Sequence, residues 1–187
     1  MATATGRVGY SPEDLLVLGD DAGVELVGGH LLEKPPMGAK ANLIGSTLLT
    51  LLNIFVRANR LGLCFGENCG YQVFEDDASR VRKPDVSFVR TGRLPGDVPP
   101  DGFMRIRPDL AVEVVSPNDL AEDIDERIHD FLRVGVPLVW VVYPKTRTAL
   151  VLRPDGTARR LVGADALDGE AVLPGFSCPL AELFAGL

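Results

Sequence analysis

The hydrophobic positions of this chain change period several times, and each change marks a new element. Leu43, Ile44, Thr47, Leu48, Leu51, Leu52 and Phe55 recur at the i, i+3, i+4 spacing of an amphipathic helix that Gly62 is expected to end. Ahead of it, Ser11-Pro-Glu-Asp14 has the form of a capping box with proline at the first helical position, so a short helix follows. Residues 24–27 and 30–33 read as two strands around a Gly28-Gly29 turn. Further strands are expected at 63–66, 70–75, 85–90 and 109–115, with a Pro/Gly-rich loop over 95–102. Asn118 or Asp119 then caps a helix reaching about Arg133, with acids crowded into its first turns, where the helix dipole favours them. Residues 136–143 are nearly all apolar, as a strand covered on both faces requires. Strand, helix and strand over 109–143 form a βαβ unit, so its strands are parallel with a right-handed crossover. A hairpin over 148–153 and 158–162, turning at Pro154-Asp-Gly156, and a short helix over 179–184 complete an α/β chain. No repeat, low-complexity block or linker divides it, so one domain over 1–187 is expected.

One polar position breaks the apolar pattern where it costs most. Glu113 stands inside Leu110-Ala-Val-Glu-Val-Val-Ser116, and an ionised, unpaired carboxylate there costs several kcal/mol or is driven to protonate. A cation, a metal ion or a set of donors must meet it. A second carboxylate, Asp85, opens the strand in Arg82-Lys-Pro-Asp-Val-Ser-Phe-Val-Arg90. Strand alternation places Asp85 with Ser87 and Val89, and Glu113 with Ala111 and Val115, in both cases on the less bulky face. Two carboxylates on adjacent strands can hold a hard cation of the Mg²⁺ type. The alternative is a turn-capping Asp85 and a Glu113 on a half-exposed edge strand. In the following helix Leu120, Ile124, Ile128 and Phe131 form the apolar stripe, with Arg127 at its edge and Glu126 and Arg133 pointing away. Arg127 can pair with Glu113 or with a phosphate, or its stem can lie along the core edge.

Composition narrows the chemistry. Cys64 and Cys69 lie five apart, Cys178 is alone, and His30 and His129 are the only histidines, which argues against zinc, disulfides and Ser-His or Cys-His catalysis. A net charge of −7 argues against a general coating of nucleic acid. Residues 80–107 nevertheless carry +4, leaving −11 elsewhere, so a basic strip beside the two acids can meet phosphates or be balanced by the acidic helix. The apolar run at 41–60 is broken by Asn42, Ser46, Asn53 and Arg57, which argues against a membrane span, and the opening Met-Ala-Thr-Ala-Thr-Gly lacks a leader's pattern. A cytoplasmic location is expected.

KPDVSFVR, PDLAVEVVSPND, DERIHDFLRVGVPLVWVV, VLRPDG and VLPGFSCPLAELF together resemble the restriction endonuclease family of the Uma type, a branch of the PD-(D/E)XK nucleases. The resemblance runs from about Val24 to Leu183 and implies an αβββαβ core with an N-terminal hairpin and C-terminal β additions. It implies Asp85 and Glu113 as ligands to Mg²⁺ or Mn²⁺, with the Val114 carbonyl as a further ligand. It also implies DNA as partner and endonuclease activity, and we expect a homodimer. The signature's lysine has Val115 in its place; in this branch it moves to the following helix, where Arg127 stands. Arginine keeps the positive charge but cannot act as a general base. Ala41 stands where many relatives carry a histidine, Lys83 is a candidate substitute cation, and Glu67 is a candidate additional ligand. The competing expectation is an impaired nuclease fold that serves as a binding module, with Glu113 and Arg127 as a structural pair.

Overall fold

In the computed structural model, residues 9–18 and 23–187 are described. The residues read as lacking a leader, 1–6, lie outside them. Helix α1 (Pro12–Leu18) starts at the expected capping box: Ser11 N–H donates to Asp14 Oδ2 (2.9 Å) and Asp14 N–H to Ser11 Oγ (3.2 Å). Strands β1 (Val24–Val27) and β2 (His30–Glu33) pair antiparallel around Gly28 and Gly29, whose φ values of 56° and 76° are those of a type I′ turn.

The long helix α2 (Ala39–Asn59) is followed by β3 (Gly62–Gly66), β4 (Val86–Arg90) and β5 (Leu110–Val114). Then come α3 (Ala121–Arg133), β6 (Leu138–Tyr143), β7 (Thr148–Leu152) and β8 (Ala158–Leu161). The six strands form one sheet in chain order, antiparallel except for the parallel β5–β6 pair that α3 connects. The expected αβββαβ core is α2-β3-β4-β5-α3-β6.

Helix α2 covers one face through Ala41, Ile44, Leu48, Leu52 and Val56, packed on Val86, Phe88, Val112, Val114, Trp140 and Val142. Its length and composition would suffice to cross a membrane, but this face is taken by the sheet. The burial stripe is rotated from the expected one: Leu43 is exposed, while Ala41, Gly45 and Val56 are buried. Helix α3 covers the other face, where Phe131 packs on Ala111, Val136 and Val139. A small hairpin of β9 (Ala166–Asp168) and β10 (Ser177–Pro179), with α4 (Leu180–Leu183), closes the α2 side, and Phe176 stacks on Trp140 at 6.0 Å.

Three local expectations change. No strand forms over 70–75; Tyr71 makes only single bridges, to Arg82 and to Met104. Helix α2 stops at Asn59, three residues before Gly62, with Arg60 left-handed at φ 53°. Gly62 is needed for a different reason, since a Cβ there would fall 2.1 Å from the Val89 carbonyl oxygen. Neither Asn118 nor Asp119 caps α3: its first position is preceded by Leu120, and the Asp119 carboxylate instead accepts the Ser116 N–H at 2.7 Å.

Candidate active site

The pairing of β4 with β5 fixes the two acids. Val86 faces Val112 and Ser87 faces Ala111, so the ladder continues with Asp85 opposite Glu113, and Asp85 N–H donates to the Val112 carbonyl at 3.0 Å. Both side chains project from the α3 face, as alternation requires. The edge-strand alternative for Glu113 does not hold, because β5 lies inside the sheet and Glu113 is fully buried, and Asp85, 6% exposed, is held by the Val114 amide and Lys34 rather than capping a turn.

Asp85 is gripped at both oxygens. Oδ2 accepts the Val114 N–H at 2.7 Å, and Oδ1 accepts Lys34 Nζ at 3.0 Å. Val114 therefore meets the site through its backbone, while its side chain lies in the core under α2. Glu113 has one partner: Oε2 accepts Arg127 Nε at 3.0 Å, and Oε1 is buried without a hydrogen bond. Burial pushes the Glu113 carboxyl up to about 7; Arg127 and Lys34 pull against this, and Asp85 adds to it. Arg127 is itself buried, turned inward rather than lying at the stripe's edge. The inward face of α3 is Ile124, Arg127, Asp130 and Phe131, because the sheet offers charges for Arg127 and Asp130 to meet.

Three residues of the site escape a sequence reading. Glu25 of β1 is buried; its Oε2 accepts Arg82 Nη1 at 2.9 Å and its Oε1 the Lys83 N–H at 2.7 Å. Burial works against the Glu25 charge, but Arg82, Lys34, Arg127 and the Lys83 amide more than offset it, so its pKa is lowered. Lys34, just beyond β2, also donates to the Lys83 carbonyl at 3.1 Å. Burial disfavours its charge, yet Asp85, Glu113 and Glu25 raise its pKa, so it stays an ammonium. Asp130 binds Arg82 Nε at 2.7 Å and Arg80 Nη1 at 2.6 Å. A signal existed for Glu25, which sits between apolar neighbours as Glu113 does. Lys34 carried none.

These and neighbouring contacts take up four of the seven basic residues of 80–107. Arg80 and Arg82 are taken up by Asp130 and Glu25, Arg93 by Asp109, and Arg90 by the carbonyls of Ala171 and Val172, so no continuous phosphate track forms over 80–107. A cleft of about 480 Å³ opens beside Asp85 instead, walled by Asn42, Ser46, Phe65 and the 66–69 turn, and it includes Glu67. Among the described residues no group of three or more His, Cys, Asp or Glu side chains gathers as a metal nest. The donor set is thus two carboxylates, Asp85 held at both oxygens and Glu113 with one oxygen that has no partner. It fits a hard cation that keeps most of its water.

The family Uma2, described as "Putative restriction endonuclease", matches residues 12–181. The chain belongs to this family. Among solved structures, a "putative nuclease belonging to DUF820" from Anabaena variabilis superposes with a TM-score of 0.78 at 22% identity, covering 94% of this chain and 98% of that one. At that identity the likeness is one of fold. No curated protein matches the chain. Within the Uma2 fold, Asp85, just before β4, stands opposite Glu113 of β5, with Arg127 binding Glu113 and Lys34 binding Asp85.

Proposed function

We propose that this Uma2 protein is an endonuclease that hydrolyses DNA phosphodiester bonds with Mg²⁺, or Mn²⁺, held by Asp85 and Glu113 and by the Val114 carbonyl. The observation that supports this best is the buried Oε1 of Glu113, which has no hydrogen-bond partner, at the strand position opposite Asp85. A native fold rarely leaves such an atom without a ligand, because desolvating it uncompensated costs about 1–3 kcal/mol or more. When bound, a divalent cation supplies Lewis acidity toward a phosphate oxygen and a more acidic water. The chain's own part is electrostatic. Arg127 holds Glu113 from the α3 side and presents a permanent charge toward the phosphate as negative charge builds. It takes no proton, so base function falls to solvent or to a group of the substrate. The cleft beside Asp85 gives a phosphate its route in. We further propose a single domain that works in the cytoplasm and pairs as a homodimer.

The test joins two measurements on the full chain. Mg²⁺ is expected to raise the thermal midpoint of the wild type but not of Glu113→Gln, and Mg²⁺-dependent cleavage of plasmid DNA is expected to be lost in Glu113→Gln and Asp85→Asn. Equal stabilisation of wild type and Glu113→Gln would overturn the metal reading.

A second reading has its own support. Arg127 and Lys34 already neutralise Glu113 and Asp85, as in a structural ion-pair cluster within a binding module. It requires no metal response and no cleavage.

A further inference from the structure

We propose that Lys34 is an exchangeable counter-cation of the site: it competes with a divalent cation for Asp85 and, once displaced, its ammonium turns to the scissile phosphate. This inference rests on the metal reading of Asp85 and Glu113.

Lys34 Nζ stands 3.0 Å from Asp85 Oδ1, the distance of a charge-assisted hydrogen bond, so it occupies a lone pair that a metal would use. The other Asp85 oxygen is held by a backbone amide, which does not move without breaking the β4–β5 ladder. Exchange at Asp85 therefore falls on the lysine. Its main chain is pinned where β2 ends, Lys34 N–H donating to the Gly23 carbonyl at 2.8 Å, while its side chain is 20% exposed. A four-carbon stem with rotatable donors can swing where a guanidinium fork such as that of Arg127 cannot. Its second acceptor, the Lys83 carbonyl at 3.1 Å, gives a holding point beside Asp85.

Charge balance decides what the exchange achieves. With Glu113 ionised, Glu25, Asp85 and Glu113 balance Lys34, Arg82 and Arg127, and the adjoining Asp130 and Arg80 cancel each other. A dication entering this set finds no net attraction, and binding is weak until an anion arrives with it. With the phosphate present, the ammonium leaves one oxyanion for another and remains hydrogen-bonded throughout. Lys34 then occupies the role for which the strand offers only Val115.

The test uses Mn²⁺ calorimetry on the full chain, with Lys34→Met and Lys34→Gln. If Lys34 competes for Asp85, both variants bind Mn²⁺ about tenfold more tightly than the wild type, as expected when a like charge within a few ångströms of the ligand is removed. Their Mg²⁺-dependent cleavage of DNA falls by about 10²–10³, the loss typical of one transition-state donor. Lys34→Gln keeps a neutral donor to Asp85, so it reports even if Lys34→Met does not fold. Unchanged or weaker Mn²⁺ binding in a folded variant overturns the competition, and cleavage retained at the wild-type rate overturns the phosphate role. If wild type and variants alike bind no Mn²⁺, the metal reading falls and the inference falls with it. If the wild type binds Mn²⁺, loses it in Glu113→Gln, and Lys34→Gln binds no better, the inference alone fails.

Discussion

Replacing Glu113 by glutamine probes its buried carboxyl through stability alone. The folded-state pKa is raised from the ordinary 4.5 to about 7, with burial as the largest cause. Below pH 4.5 the group is neutral in both states and contributes nothing. Between pH 4.5 and 7 the unfolded chain ionises it while the folded chain does not, so stability is lost as pH rises. Above pH 7 the deficit is constant, on the order of 3 kcal/mol, because each tenfold change in proton affinity between the two states is worth about 1.4 kcal/mol. Glutamine imitates the protonated acid and keeps an oxygen for Arg127, so Glu113→Gln removes only this dependence. Urea unfolding of wild type and variant at pH 5 and pH 8 isolates the group, since other titrations cancel in the difference. The expected result is a variant more stable by roughly 1 kcal/mol at pH 5 and by roughly 3 kcal/mol at pH 8. A variant less stable than wild type at pH 8 would contradict this account. It would mean that the Glu113–Arg127 attraction outweighs the desolvation of both groups, so that Glu113 is a structural partner.

Three further outcomes follow from the same contacts. Arg127→Lys is expected to keep Mg²⁺-dependent cleavage and Arg127→Ala to lose about 10²–10³ of it in initial rates; equal loss in both would show that the guanidinium geometry, not its charge, matters. Arg82→Met leaves Glu25 and Asp130 buried without their shared partner, so the denaturation midpoint should fall by an amount equivalent to about 3–5 kcal/mol, and a change under about 1 kcal/mol would argue against the network. Trp140 is fully buried against Phe176 within its own chain, so iodide should leave its fluorescence unquenched whatever the oligomeric state; strong quenching would be incompatible with the packing.

The central elements were legible because their signals are local. A helical period marked α2, an unbroken apolar run marked β6, and the Gly-Gly and Pro-Asp-Gly turns marked the β1–β2 and β7–β8 hairpins. Expectations failed where tertiary partners decide. Residues 70–75 have strand composition, yet Tyr71 finds only single-residue partners, and the three-residue β9 and β10 are too short to show a period. Asp119 has the chemistry of a cap but is claimed by the Ser116 amide. The same divide runs through the site. Glu113 betrays itself as an acid among apolar neighbours and Asp85 as an acid that opens an apolar strand, and their shared face follows from strand alternation. Lys34 lies 51 residues from Asp85, after the end of a strand and before two prolines, where a lysine draws no notice until the hairpin docks. The basic strip misleads for the opposite reason: charges near one another in sequence are each claimed by acids from elsewhere in the chain, Arg80 and Arg82 by Asp130 and Glu25 and Arg93 by Asp109.

Asp85 is aimed by the Val114 amide, and this bond has an evolutionary consequence. Every residue but proline carries that N–H, so the bond that orients the acid is indifferent to the side chain at 114. What restrains the position is the packing of its methyl groups beneath Gly45 of α2, where a related aliphatic residue would serve. Lineages can therefore drift at 114 without disturbing the aim of the carboxylate, whereas any insertion that shifts β4 against β5 would undo it at once. The site's heredity is carried here by strand register, which no single residue type records.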